Sequence, residues 1–372
     1  MALRIGSATT LTLGAEIKAI NYAVANGADV INMSLGSDIW SKAERAAIAR
    51  AGKHGVLVVI AAGNGSSDND VQFFASDASH ATVAAAPSYP ASYTLKNILS
   101  VAATNDRDNY AYFSQCRGIV PLWECGFTNW GHDSVDVAAP GVDILSTVTQ
   151  GVGQTFADYE YFDGTSMASP LVAGIAGLVL SDHPGYSAVQ VKNAIMHSVD
   201  RPTSLKLFDS WGDVEGVGKK PLTGRFTRTF GRVNADAALT ASTANATPQT
   251  DGNIDGARLI KSKRTGSLSW PADANDVYRK RLAKGTKYHV VLNGPKGQDF
   301  DLWVWKPGTK EIFQFTPGCF MKGGACPALE AVSAGDTANE AVTFKAPKTG
   351  VYYIQANGWF SAGHYTLTIK KV

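Results

Sequence analysis

The chain has 372 residues, of which 45% are hydrophobic and 18% charged. At roughly 150 residues per domain this is two or three domains with enough apolar material for sizeable cores, which excludes wholesale disorder. Lys and Arg number 34 against 32 Asp and Glu, a balance that gives no electrostatic reason to expect a nucleic-acid partner. The balance hides a split: residues 1–250 carry 17 basic and 22 acidic residues, net −5, and residues 251–372 carry 17 and 10, net +7. Such a reversal marks a change of module.

In chain order, Met1-Ala2-Leu3-Arg4-Ile5 is too short and too soon interrupted to be the apolar core of a secretory signal. Val30–Leu35 reads as a buried strand ending in a turn at Gly36, and Ser41–Gly52 as a helix. Gly55–Ala62 and Ile98–Thr104 are two more apolar runs. Continuous rather than alternating apolar runs predict burial on both faces, and their separation by helices predicts parallel βαβ units. Leu171–Leu180 is the longest apolar stretch, ten residues with two Gly, short of the ~18 needed to span a membrane. Residues 241–256 are small and polar and read as a linker. Beyond it the pattern changes to period two, at Phe300–Trp305, Val351–Ile354 and Tyr365–Ile369, which predicts a small all-β sandwich.

The cysteines form two close pairs, Cys116 with Cys125 and Cys319 with Cys326. They fit two local disulfides in an oxidising compartment; the plain alternative is four free thiols. An exported-looking chain without an export signal suggests that its beginning is missing.

The chemistry gathers in two motifs. Phe162-Asp163-Gly164-Thr165-Ser166-Met167-Ala168-Ser169-Pro170 places a Ser at the start of a helix that is small or apolar all round, and so predicted buried. Pro170 reads as a first-turn residue. The unpaired N–H groups of a helix start suit developing negative charge. Taken alone, Ser166 is as well explained as a helix cap. Ala61-Ala62-Gly63-Asn64-Gly65 closes a buried strand, and the end of a parallel strand puts Asn64 in the usual ligand crevice, where its amide can donate to an oxyanion. Taken alone, Asn64 is as well explained as a turn residue.

Together with Asn32–Gly36 (NMSLG), Pro90–Tyr93 (PASY), Val135–Ile144 (VDVAAPGVDI) and Gly231–Leu239 (GRVNADAAL), these motifs resemble the subtilisin family of serine proteases across nearly all of residues 1–240. The resemblance implies an α/β parallel-sheet fold over residues 1–240, which leaves the linker at 241–255 and the sandwich at 256–372. It implies that Ser166 is the nucleophile, and that Asn64 and the Ser166 backbone N–H form the oxyanion hole. Ser34, Leu35 and Gly36 match the strand that pairs with an extended polypeptide substrate; Ala61, Ala62 and Gly63 match the opposite pocket wall. No cofactor is implied for the chemistry, and no metal ligand is assigned. Calcium is a common stabiliser in the family. Asp68-Asn69-Asp70 is a possible ligand cluster that reads better as a solvated turn. Residues 256–372 resemble the bacterial pre-peptidase C-terminal domain through YRKRLAKG, GQDFDLWVWKPG, TGVYYIQANG and GHYTLTIKK. Trp303, Trp305 and Trp359 read as core or rim of that module.

The sequence departs from the family in three places. Leu171 stands where a His usually follows the Ser-x-x-x-Pro motif, and Gln115–Phe127 looks inserted, with Cys116 and Cys125 positioned to staple it. More seriously, the Asp-Ser/Thr-Gly and His-Gly-Thr-His motifs that carry the other two triad members are absent, and none of His54, His80 and His132 has the right neighbours. Ala2–Ile5 resembles the strand that follows the family's His helix. The expectation is therefore a subtilisin-like fold lacking its first strands, secreted, and inactive alone because a Ser is a weak nucleophile without a base. The alternatives are a pseudo-protease that binds without cutting, and a split protease whose Asp and His arrive in trans on the missing N-terminal segment.

Overall fold

A computed structural model describes residues 1–6, 10–70, 87–111, 113, 128–148, 159–205, 227–241, 252–269, 275–312, 327–335, 337–358 and 361–372. Four expected disulfide partners, Cys116, Cys125, Cys319 and Cys326, all lie outside the described residues, so neither pairing is among the contacts described below. His80, Trp359, the whole of Gln115–Phe127 and most of the expected linker lie outside them too. The chain divides into two compact units, one formed mainly by residues up to Thr247, the other carried by Pro248–Val372.

The first unit contains α1 (Leu13–Ala25), β1 (Val30–Met33), α2 (Lys42–Lys53), β2 (Leu57–Ala61), β3 (Ile98–Thr104), β4 (Val137–Pro140), β5 (Ile144–Thr147), β6 (Tyr159–Phe162), α3 (Thr165–Asp182), α4 (Ala188–His197) and α5 (Ala235–Thr240). Side chains start four of the helices: Thr12 caps α1, Ser41 caps α2, Asn234 caps α5, and Ser187 forms a reciprocal capping box with Gln190 on α4. Four strands form a parallel sheet in the order β1-β2-β3-β4. Every residue of β2 and β3 is buried, as continuous apolar runs require. Leu57 and Val59 face a core shared with Val172, Val179, Val191 and Ile195 of α3 and α4. Val58 and Ile60 face the other core, with Ile20 of α1 and Ile48 of α2.

The edge at β1 differs. Among the described residues β1 pairs only with β2, and Asn32 at its outer side is exposed. Ala2–Ile5, expected as a strand, forms none; that end of the chain makes a single bridge from Gly6 to Leu11. With no described strand beside β1, Ala2–Ile5 has no ladder to join.

Helix α3 also departs from expectation. Ala168, Val172, Ile175, Ala176 and Val179 are buried, but Leu171 is 38% and Leu178 53% exposed. A Cβ added at Gly174 or Gly177 would meet no atom within 4 Å. The helix is apolar all round yet covered on one flank only, because the sheet and its neighbouring helices reach only that flank. Its 18 residues from Thr165 to Asp182 are long and apolar enough to cross a membrane by length and composition; here seven of them are buried within the unit.

The second unit contains β7 (Arg258–Leu259), β8 (Lys263–Ser269), β9 (Asn275–Leu282), β10 (Lys287–Asn293), β11 (Phe300–Trp305), β12 (Leu329–Ser333), β13 (Asn339–Lys345), β14 (Gly350–Gly358) and β15 (Ala362–Lys371). They form two sheets, β13-β10-β15-β8 and β12-β11-β14-β9-β7. Val290, Leu292, Leu367 and Ile369 of the first share one core with Leu302, Val304, Tyr352 and Ile354 of the second. Alternation is clean: in β13, Val342 and Phe344 point in while Ala341, Thr343 and Lys345 are exposed. Trp305 is fully buried, with its indole N–H donated to Gln355 Oε1 at 2.8 Å, and Trp303 stacks on it at 6.2 Å.

Candidate active site

Three segments distant in sequence meet at the start of α3. Asn64 lies just past the end of β2, Ser34 just past the end of β1, and Ser166 is the second residue of α3. A parallel sheet delivers successive strand ends to one edge, which is where ligands bind in open α/β sheets.

Thr165 fixes Asn64. Its backbone N–H and its hydroxyl both donate to Asn64 Oδ1, at 3.0 and 2.8 Å. With Oδ1 engaged twice, the amide orientation is determined and Nδ2 becomes the outward donor. Gly63 N–H donates back to Thr165 Oγ1 at 3.2 Å, tying the strand end to the helix start. Gly164, the helix N-cap, has φ 144° and ψ 162°, a region essentially restricted to glycine. A Cβ there would stand 3.1 Å from Asn64 Nδ2, so the glycine leaves the amide its space. The Gly164 N–H is anchored to the Gly141 carbonyl at 2.8 Å. Ser166 N–H lies in the first turn, where helical partners are absent. It and Asn64 Nδ2 are therefore two N–H donors of the kind that stabilise an oxyanion.

Pro170 sits six residues into the helix rather than in its first turn. It has no N–H, so the Ser166 carbonyl loses its usual i+4 donor. Ser34 replaces that donor: its hydroxyl hydrogen-bonds the Ser166 carbonyl at 2.8 Å. Ser34 Oγ also receives Asn32 Nδ2 at 3.0 Å and lies 3.1 Å from Ser169 Oγ. The end of β1 thus holds the backbone of the serine itself.

The expected substrate-facing residues take different exposures. Ser34 and Gly36 are exposed and Leu35 is half-buried against the α1–α2 core, while Ala61 and Ala62 are buried and Gly63 half-buried. A β-bridge between Ser37 and Tyr89 fixes the chain just beyond Gly36. Among the described residues no hydrogen bond engages Ser166 Oγ. The described histidines are occupied elsewhere or exposed: His132 Nδ1 lies 2.9 Å from Asp133, His183 bonds the Leu239 carbonyl, and His54 is exposed at the end of α2.

Asp68, Asn69 and Asp70 are buried, against the expectation of a solvated turn. Asn69 is held by hydrogen bonds. Its Nδ2 donates to the Ala62 carbonyl at 2.9 Å and its Oδ1 accepts from Asn129 Nδ2 at 3.0 Å, while Asn129 Oδ1 accepts Gly65 N–H at 2.8 Å. Asn69 and Asn129 thus brace the Asn64 loop. Among the described residues no group of three His, Cys, Asp or Glu side chains could hold a metal.

Sequence reasoning missed two further supports. The β5–β6 ribbon feeds Phe162 directly into Asp163-Gly164, and Asp163 Oδ1 accepts the Asp143 N–H at 2.7 Å. Asp136, at the foot of β4, takes Lys192 Nζ at 2.7 Å and Arg228 at 3.4 Å. Burial pushes the Lys192 ammonium down from its ordinary value, against the pull of Asp136.

A family model described as the subtilase family, Peptidase S8, matches residues 1–231. The chain belongs to the subtilase family. Among its relatives is the "Thermophilic serine proteinase" of Bacillus sp. (strain AK1), 34% identical over 55% of this chain and 40% of that protein. Another is the "Halolysin-like extracellular serine protease Nep" of Natrialba magadii, 28% identical over 95% of this chain and 55% of that protein. A solved protease from Pseudoalteromonas arctica has 24% identity and a TM-score of 0.45, covering 64% of this chain and 61% of that one. This subtilase chain spans between about two fifths and three fifths of the relatives' lengths.

Proposed function

We propose that this subtilase chain carries the nucleophile and oxyanion hole of a serine endopeptidase, and that its catalytic Asp and His are supplied by residues outside these 372. The observation that carries the reading is the Asn64–Thr165–Ser166 arrangement, in which every hydrogen bond turns two N–H donors outward beside a serine. An extended polypeptide lies along Ser34–Gly36, opposite Ala61–Gly63. Attack by Ser166 Oγ on its carbonyl forms a tetrahedral oxyanion held by Asn64 Nδ2 and the Ser166 N–H. The base that takes the Oγ proton arrives with a segment that covers the open edge of β1 and the exposed flank of α3. Their exposure supports this: an unpaired apolar strand edge beside an apolar helix flank is a surface that favours being covered.

The reading extends to the rest of the chain. The second unit is a pre-peptidase C-terminal-like sandwich. The protein acts outside the cell, with Cys116 bonded to Cys125 and Cys319 bonded to Cys326. A relative named as extracellular that matches 95% of this chain supports that location. No cofactor takes part in the chemistry, and any calcium is structural.

The test is to express the chain alone and together with the upstream segment holding Asp-Ser/Thr-Gly and His-Gly-Thr-His. The expected result is an aggregating, inactive chain alone and a soluble peptidase on complementation. A soluble monomer of the chain alone that cleaves a peptide in a Ser166-dependent way overturns the proposal. Binding of peptide without cleavage, even when both motifs are supplied, favours the pseudo-protease.

A further inference from the structure

The charge of the second unit is not spread evenly over it. Strand register sorts it by end. Lys287 begins β10 and Lys345 ends β13, while Arg281 is next to last in β9 and Lys370 next to last in β15. Asp276, Asp301 and Glu340 lie at the opposite ends of their strands, facing Ala356, Asn357 and Leu292. Exposed basic residues therefore gather at one end of the sandwich, while at the other Asp276 is buried and ion-paired with Arg258.

One pairing at the basic end works against the fold. Lys287 stands directly opposite Lys345. Like charges at facing positions destabilise a ladder. Among the described residues neither Lys287, Lys345 nor Lys370 forms an ion pair that would offset this, and all three are exposed. Local choices that oppose the fold without a structural return are expected at functional surfaces.

Beside this row lies a groove of about 770 Å³, lined by Lys261, Lys280, Arg281 and Lys370 among others. The Lys280 ammonium donates to the Lys261 carbonyl, which holds the two residues together. Tyr288 lines the groove but is only 2% exposed. No aromatic face is therefore offered on which a nucleobase could stack. A concave site fits an extended chain better than a flat bilayer. Lysine ammoniums act as separate point charges, suited to anionic groups spaced along an extended chain.

We propose that the Lys287–Lys345–Lys370 end of the sandwich, with its adjoining groove, binds an extended acidic polysaccharide and so anchors the protein to a polyanionic matrix. The binding is electrostatic, so it weakens with salt.

The experiment uses the full chain, supplied with the upstream segment if solubility requires it. Binding of polygalacturonate and heparin is titrated against neutral dextran, a dT oligonucleotide and phosphatidylglycerol–phosphatidylcholine vesicles. Both acidic polysaccharides are expected to bind and dextran not to. Affinity should fall by about tenfold or more between about 50 and about 200 mM salt. The double variant Lys287→Glu/Lys370→Glu should weaken binding at least about tenfold, while Lys296→Glu at the other end leaves it unchanged. A glutamate at 287 faces Lys345, so the ladder tolerates it; if the double variant nevertheless fails to fold, Lys370→Gln/Lys371→Gln makes the same test at an exposed strand end. Binding no stronger than to dextran, binding unaffected by the variants, or tighter binding to the oligonucleotide or the vesicles overturns the proposal.

Discussion

The two units finish their sheets differently. In the sandwich, two largely antiparallel sheets bury the inward side chains of their strands against each other, from Val342 and Phe344 on one to Leu302 and Val304 on the other. In the parallel unit, β2 and β3 are sealed on both faces, yet among the described residues β1 has an open edge and α3 an uncovered flank. The lesson is that a shared core closes where one sheet faces another, while β1 and α3 leave apolar surface uncovered close to the proposed nucleophile.

The largest effects test how firmly each unit holds its own interior. In the parallel unit, Asp136→Asn strips Lys192 of its buried carboxylate and should cost about 3–5 kcal/mol, read as a lower denaturation midpoint. In the sandwich, Trp305→Ala removes a fully buried indole and leaves Gln355 Oε1 without its donor. It should cost about 3–5 kcal/mol in the same measurement. If either variant unfolds no more readily than wild type, the interior concerned is not built as described.

A smaller effect sharpens the contrast at the open edge. Ser34→Ala removes the hydroxyl that replaces the helix donor lost at Pro170, and should cost about 1 kcal/mol. In the complemented enzyme it should lower kcat more than it raises KM, because it acts through the Ser166 backbone. Ser34→Thr, which restores a hydroxyl, should recover part of the loss.

A further effect is pH-dependent. Burial, and then the neighbouring Glu44, pushes Glu16 up to about 8 from 4.5. Its folded value is raised, so the folded state holds a proton that the unfolded state has released. Stability should therefore decline as pH rises from about 4.5 towards about 8 and level off above it. Glu16→Gln should flatten that slope, which denaturation midpoints across this range would show.

Much of this is legible in the residues. Ile98–Thr104 reads as a strand and is one residue for residue, because seven apolar or small residues between turns leave no other way to be buried. The segments of Asn64, Ser34 and Ser166 stand out by motif and meet in space. What fails depends on partners far away in sequence. Composition alone makes α3 look buried all round, but coverage depends on what packs against each flank. Tyr159–Phe162 is four exposed residues, too short to announce a strand. The anchoring of Asn69 depends on Asn129, about 60 residues away, and the role of Ser34 depends on the missing N–H of Pro170.

The most direct test of the central claim is covalent labelling of Ser166 by a fluorophosphonate, followed by mass spectrometry of the modified peptide. The account predicts rapid labelling at Ser166 when the segment with the Asp and His motifs is supplied, and labelling slower by orders of magnitude without it; in subtilisin itself, loss of the His costs about 10⁶ in turnover. Equal labelling of the chain alone, or no labelling of a protein holding both motifs, would contradict it.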